Sequence, residues 1–200
     1  MKPRRKLLLA ALLVALFLPH VAGICFAGKA QTGAAKQRVA DPIQSIRRQY
    51  AAINKRVGRY RKVKKQLSGF SLEGGGLVAY FDGPAIVKIV ATHYGESGRS
   101  FEEYYYANDK LIFVFRKEFR YDKPMSGKVV NTSENRFYFW NDRLIQWLNN
   151  QGDPTPNGIA DYKQKQAEYL ESSRKFLNGA RSNASTIEAR NRSRRNISIL

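Results

Sequence analysis

Between Leu77 and Leu148, apolar and aromatic positions recur with the two-residue period of strands, interrupted by short polar turns. Three joints share one arrangement, an aromatic run, a tight turn and a second apolar run. They are Ala79-Tyr80-Phe81-Asp82-Gly83 before Ile86-Val87, Tyr105-Tyr106-Ala107-Asn108-Asp109 before Leu111-Ile112, and Phe139-Trp140-Asn141-Asp142 before Leu144-Ile145. Asp-Gly and Asn-Asp tolerate the left-handed backbone that a two-residue loop demands, so each joint predicts a hairpin. Strands are expected at Leu77 to Phe81, Ile86 to Tyr94, Phe101 to Ala107, Leu111 to Tyr121, Arg136 to Trp140 and Arg143 to Leu148, with Lys128 to Asn131 as a short edge piece. In the fourth, Phe113, Phe115, Phe119 and Tyr121 alternate with Val114, Arg116, Glu118 and Arg120, which predicts one core face and one polar face.

A helical period governs the flanks. Asp41-Pro42 offers a cap and a first-turn proline, and Ile43, Ile46, Tyr50, Ile53, Val57, Tyr60 and Leu67 fall on one arc. The spacing predicts an amphipathic helix that is left at Gly69. A second helix is expected from Ile159 to Leu177, with Asn178-Gly179 as its stop and a thinner apolar stripe. The expected fold class is therefore α+β: an N-terminal amphipathic helix, an antiparallel β-meander of about six strands and a C-terminal helix, in a single domain over 41–180.

Composition changes this picture mainly at the ends. With 43% hydrophobic and 12% aromatic residues among 200, the chain can build a core without metal or disulfide staples. Lys2, Arg4, Arg5 and Lys6 precede the apolar run Leu7 to Leu18 and the small residues Ala22 to Ala30, so residues 1–30 read as a signal peptide. Residues 31–40 then form a flexible leader, and 181–200 a disordered basic tail containing Arg190, Arg192, Arg194 and Arg195. Export to the periplasm or the outside follows, with no transmembrane helix once the signal is cleaved. Cys25, the one cysteine, follows Ile24 rather than the small residue of a lipoprotein signal, and cleavage after Ala27 or Ala30 would leave the mature chain without a thiol.

The formal net charge is +19, and no acidic residue lies between Asp41 and Glu73. Arg47, Arg48, Lys55, Arg56, Arg59 and Lys62 fall on the polar side of the first helix, a face that is either solvated or turned to something anionic. A second candidate surface joins aromatic and basic residues on the sheet: Tyr104, Tyr106, Arg116 and Arg120, able to stack on sugars, peptides or bases if left uncovered. The alternative is that helices cover both sheet faces and the rings are core. The run Gly74-Gly75-Gly76 leads into a strand rather than a helix, which excludes a phosphate-cradling loop.

Catalytic chemistry has little to build on. His93 is the one histidine outside the signal, so neither a multi-histidine metal site nor a Cys/His pair can form, and no cofactor motif is present. Glu96, Glu102, Glu103 and Glu118 remain as carboxylates for a hydrolytic cleft, but Glu102 and Glu103 must point to opposite faces of their strand.

On the segments Ala79 to Gly83, Ile89 to Gly98, Glu102 to Tyr106 and Leu111 to Val114, the chain resembles small exported proteins of Gram-negative bacteria that carry no assigned function. Its hairpins resemble the aromatic-Asn/Asp-Gly-x-Leu hairpins of MORN-type repeat proteins. The resemblance covers the sheet alone, and the missing glycines at Asn108-Asp109 and Asn141-Asp142 favour one compact sheet over an open repeat. Neither resemblance implies a catalytic residue. The leading expectation is a non-catalytic exported binding or envelope-associated protein whose basic surface meets an anionic envelope component or an acidic protein. Nucleic acid is disfavoured because the signal sends the chain away from it. A hydrolytic enzyme with carboxylates in a sheet cleft and an inhibitor of a periplasmic enzyme are the alternatives.

Overall fold

A computed structural model describes residues 41–155 and 158–189. The signal, the leader, Cys25 and the arginines from Arg190 onward lie outside the described residues. The fold is α+β, with one long helix before a large mixed sheet and one after it.

Helix α1, Pro42–Lys55, starts as its cap residues dictate: the Asp41 carboxylate accepts from the Ile43 N–H at 3.0 Å, and Pro42 occupies the first turn. It is much shorter than its apolar spacing suggested. After a 3-10 turn at Val57–Arg59, the segment Arg61–Ser68 is strand β1, not the continuation of the helix. The reason is Lys65. On a strand, Val63, Lys65 and Leu67 share one face, and Lys65 is buried there because its ammonium donates to the Ser182 carbonyl at 2.8 Å and to that of Ala184. A lysine in an apolar position hid the two-residue period.

Six strands follow where alternation placed them: β2 Gly75–Asp82, β3 Ala85–Gly95, β4 Gly98–Ala107, β5 Lys110–Tyr121, β6 Val129–Trp140 and β7 Arg143–Leu148. The piece at Lys128 to Asn131 is the start of β6 rather than a separate edge. Asn108, Asp109, Asn141 and Asp142 all take positive φ, which is the backbone of their two-residue hairpin loops. The first hairpin turns on Gly83-Pro84 instead of Asp82-Gly83, since Asp82 pairs with Ala85 and Gly83 alone has positive φ.

Helix α2, Ile159–Arg181, runs through the expected stop at Asn178-Gly179. Gly179 has a packing role: a Cβ there would lie 2.6 Å from Ile187, a residue of the three-residue strand β8, Thr186–Glu188. Strand β8 pairs parallel to β1, so the expectation of an unstructured tail from Arg181 fails over this stretch. The described sheet thus has eight strands rather than about six, in the order β7-β6-β5-β4-β3-β2-β1-β8, antiparallel except at β1 and β8.

Each helix takes one sheet face. Ile46 and Ile53 of α1 pack with Tyr105, Phe113, Tyr138 and Leu148, while Tyr169, Phe176, Leu177 and Ala180 of α2 pack with Leu77, Ile89, Tyr104, Val114 and Phe137. Both faces are therefore core at the end of the sheet where the β4–β5 hairpin turns. No helix among the described residues is long and apolar enough to cross a membrane.

Candidate functional site

The face under α1 carries the candidate site. Antiparallel register lines up Lys62, Tyr80, Lys88, Tyr105, Phe113 and Tyr138 across six strands, with Val78, Val90, Glu103, Phe115 and Arg136 forming the next row. Helix α1 is fixed over the first row by a polar contact at its end. The Asn54 side-chain oxygen accepts from the Tyr105 hydroxyl at 3.0 Å and from the Lys88 ammonium at 3.2 Å. Lys88 also pairs with Glu103 at 2.9 Å, and Glu103 accepts the Tyr105 hydroxyl as well. Burial and this neighbouring carboxylate push the Tyr105 hydroxyl well above its ordinary pKa, so it stays protonated as a donor.

Between the flank of α1 and the second row lies a cleft of about 380 Å³, lined by Ile46, Arg47, Tyr50, Glu103, Phe113, Phe115, Arg136 and Tyr138. Its rings are packed: Tyr50 stands edge-on to Phe113 at 5.3 Å, and Phe113 to Tyr138 is 4.9 Å between centroids. Two guanidiniums frame the mouth, Arg47 at 5.8 Å from the Tyr138 centroid and Arg136 at 5.3 Å from that of Phe115. Arg136 shares its charge with Glu134 at 2.8 Å, whereas Arg47 pairs with no carboxylate among the described residues.

All six basic residues singled out in the sequence are exposed. They do not share one helix face, because α1 ends at Lys55. Arg47, Arg48 and Lys55 lie on α1, Arg56 and Arg59 on the turn after it, and Lys62 on β1, over the Tyr80 ring and on the sheet face that α1 covers. Among the described residues the one ion pair they make is Arg56 with Asp82, at 3.9 Å with both side chains half exposed, a pair worth little in water. The cations thus gather on the α1 side of the molecule, and of the six Arg47 alone lines the cleft.

The opposite face answers the second expectation with a correction. Tyr104 and Tyr106 are 1% and 2% exposed beneath α2, so neither can stack on a ligand. Arg116 and Arg120 instead line a polar groove of about 430 Å³ with His93, Ser100, Glu118 and Ser133. Buried Glu102 anchors its edge, accepting from Tyr104 Oη at 2.7 Å and Arg116 Nη1 at 2.9 Å, with His93 Nε2 at 3.7 Å. Burial pushes the Glu102 carboxyl upward, but His93, the Arg116 charge and the Tyr104 hydroxyl outweigh it and hold it below its ordinary value. Arg116 also binds Glu118 and lies 3.8 Å from Glu168 of α2. These carboxylates are consumed by one guanidinium, which suits a structural network better than acid–base work. Glu102 and Glu103 do face opposite sides of β4, as alternation requires.

Sequence reasoning missed the cleft although its rings were in view. Phe113 and Phe115 were legible as one strand side, but which strip of that side α1 leaves open depends on where the helix ends. Comparison with protein-family models, with curated proteins and with solved structures finds no match for this chain.

Proposed function

We propose that this is an exported, non-catalytic binding protein whose α1 side receives an anionic partner at the cell envelope. The observation that carries the reading is the uncompensated charge: Arg47, Arg48, Lys55, Arg56, Arg59 and Lys62 are all exposed and hold one ion pair among the described residues, Arg56 with Asp82 at 3.9 Å. Like charges held together without internal pairing repel one another, and an anion relieves that repulsion. The signal-peptide pattern at Lys2 to Ala30 supports export, and the consumed carboxylates of the groove weigh against the hydrolytic alternative.

The test is co-sedimentation with vesicles of phosphatidylglycerol in phosphatidylcholine over a series of salt concentrations. Binding should fall steeply with salt, because exposed charges are screened within about 10 Å at 0.1 M. Reversing Arg48, Lys55, Arg56 and Arg59 to glutamate should weaken it by on the order of 1 kcal/mol per cation removed. Binding that ignores both salt and the reversals defeats the reading.

A further inference from the structure

The cleft beside α1 has three properties that together select a ligand. Its walls are aromatic, its mouth carries the guanidiniums of Arg47 and Arg136, and the sheet row that holds its Phe115 and Glu103 runs on through Val90 and Val78. The register sets Phe115, Glu103, Val90 and Val78 side by side across β5, β4, β3 and β2, with Phe101 two residues along β4 on the same face. Helix α1 packs on β5 and β6, and Val78, Val90, Phe101 and Phe115 stay half-buried. Glu103, the carboxylate within this row, is already neutralised by Lys88 at 2.9 Å.

A purely polar anion would waste the rings, and a neutral apolar molecule would leave Arg47 without a counter-charge. We propose that the cleft and this row bind a single-chain amphiphile with an anionic head, held between Arg47 and Arg136, its acyl chain laid along Phe115, Val90 and Val78. From β5 to β2 is three strand spacings, roughly 14 Å, enough for a medium-length chain to lie extended. A cleft of this size, lined by four aromatic rings and a few convergent charged groups, is a common form of a small-molecule site. The inference rests on the reading of the α1 side as an anion-binding surface and names the anion.

The experiment is calorimetric titration of the full chain with dodecanoate below its micelle concentration, with dodecyltrimethylammonium as the opposite-charge control. Dodecanoate should bind saturably and the ammonium at least tenfold more weakly, because its head meets two guanidiniums. Arg47→Glu should weaken dodecanoate about tenfold or more, and Tyr50→Ala several-fold. Arg47 is exposed and makes no ion pair among the described residues, so the melting temperature of Arg47→Glu should stay near the parent's, which separates lost binding from lost fold; Tyr50→Ala also removes ring contacts to Tyr105 and Phe113, so its affinity is measured at a temperature where its own melting curve shows it folded. The reversal of Arg48, Lys55, Arg56 and Arg59 should abolish vesicle binding and leave dodecanoate affinity within a few-fold, so the two proposals fail separately. Equal binding of the two amphiphiles, an unchanged Arg47→Glu variant, or loss of dodecanoate binding on reversing these four cations, which do not line the cleft, each overturns the amphiphile site.

Discussion

Two buried charges decide much of the behaviour of single residues here. Lys65 and Glu102 lie next to the same apolar layer under α2, and each is tolerated because specific partners replace its water. Glu102 titrates below its ordinary value of 4.5, so its contribution to stability is fully present above that pH and is lost as pH falls through the folded value. Glu102→Gln keeps the shape but removes the titration, and urea melts between about pH 3 and 6 should then show a shallower loss of stability on acidification. A slope equal to the parent's refutes the assignment. Glu102→Ala goes further and strands part of the Arg116 charge, a loss of about 3 kcal/mol at neutral pH. The exposed carboxyls Asp122 and Glu171, also lowered by their partners, add little because solvent screens them.

At the scale of elements, the packing of α2 against β8 turns on the absence of one methyl group. Alanine favours a helix interior over glycine by about 1 kcal/mol, so Gly179→Ala would stabilise an isolated α2. In the folded protein its Cβ would come within 3 Å of three Ile187 side-chain atoms, and overpacking of this kind costs about 1–3 kcal/mol. Gly179→Ala should therefore destabilise in denaturant titration, and the same change on an Ile187→Ala background should not, a coupling of at least 0.5 kcal/mol in the double-mutant cycle. Additive effects contradict the contact. This pair also marks where the sequence stopped being readable. Strands β2 to β5, β7 and the second half of β6 announced themselves through their own alternation and turns. β8 holds one buried apolar residue, Ile187, and its partner β1 lies about 120 positions away, so no local pattern exists to find. β1 was masked differently, by Tyr60 and Leu67 falling on the helical arc of the residues before them and by Lys65 filling an apolar slot. The candidate site divides in the same way. The basic residues were legible from the missing acids, whereas the cleft required knowing that α1 ends at Lys55. Tyr104 and Tyr106 required knowing which face α2 covers.

For the molecule as a whole, sequence order and sheet order almost coincide, and the exception has a kinetic consequence. From β1 to β7 every strand pairs with its neighbour in the chain, so the meander can form from short hairpins at little loop-closure cost. Only β8 must return across the whole sheet to β1, closing the longest loop in the domain for three residues of pairing. Contacts that close a long loop for so small a gain form late, after the hairpins and α2 have assembled. Ile187→Ala removes a side chain that is 5% exposed and should cost about 2–5 kcal/mol at equilibrium. Nearly all of that loss should appear as faster unfolding, with the refolding rate almost unchanged, the signature of a residue unstructured in the transition state. Phe113→Leu, within the β4–β5 hairpin, should slow refolding instead, because its neighbours Tyr105 and Tyr138 come from adjoining strands. Stopped-flow chevrons of the two variants measure the contrast directly, and a refolding limb slowed by Ile187→Ala as much as by Phe113→Leu would mean that the two ends of the domain meet before the meander is built.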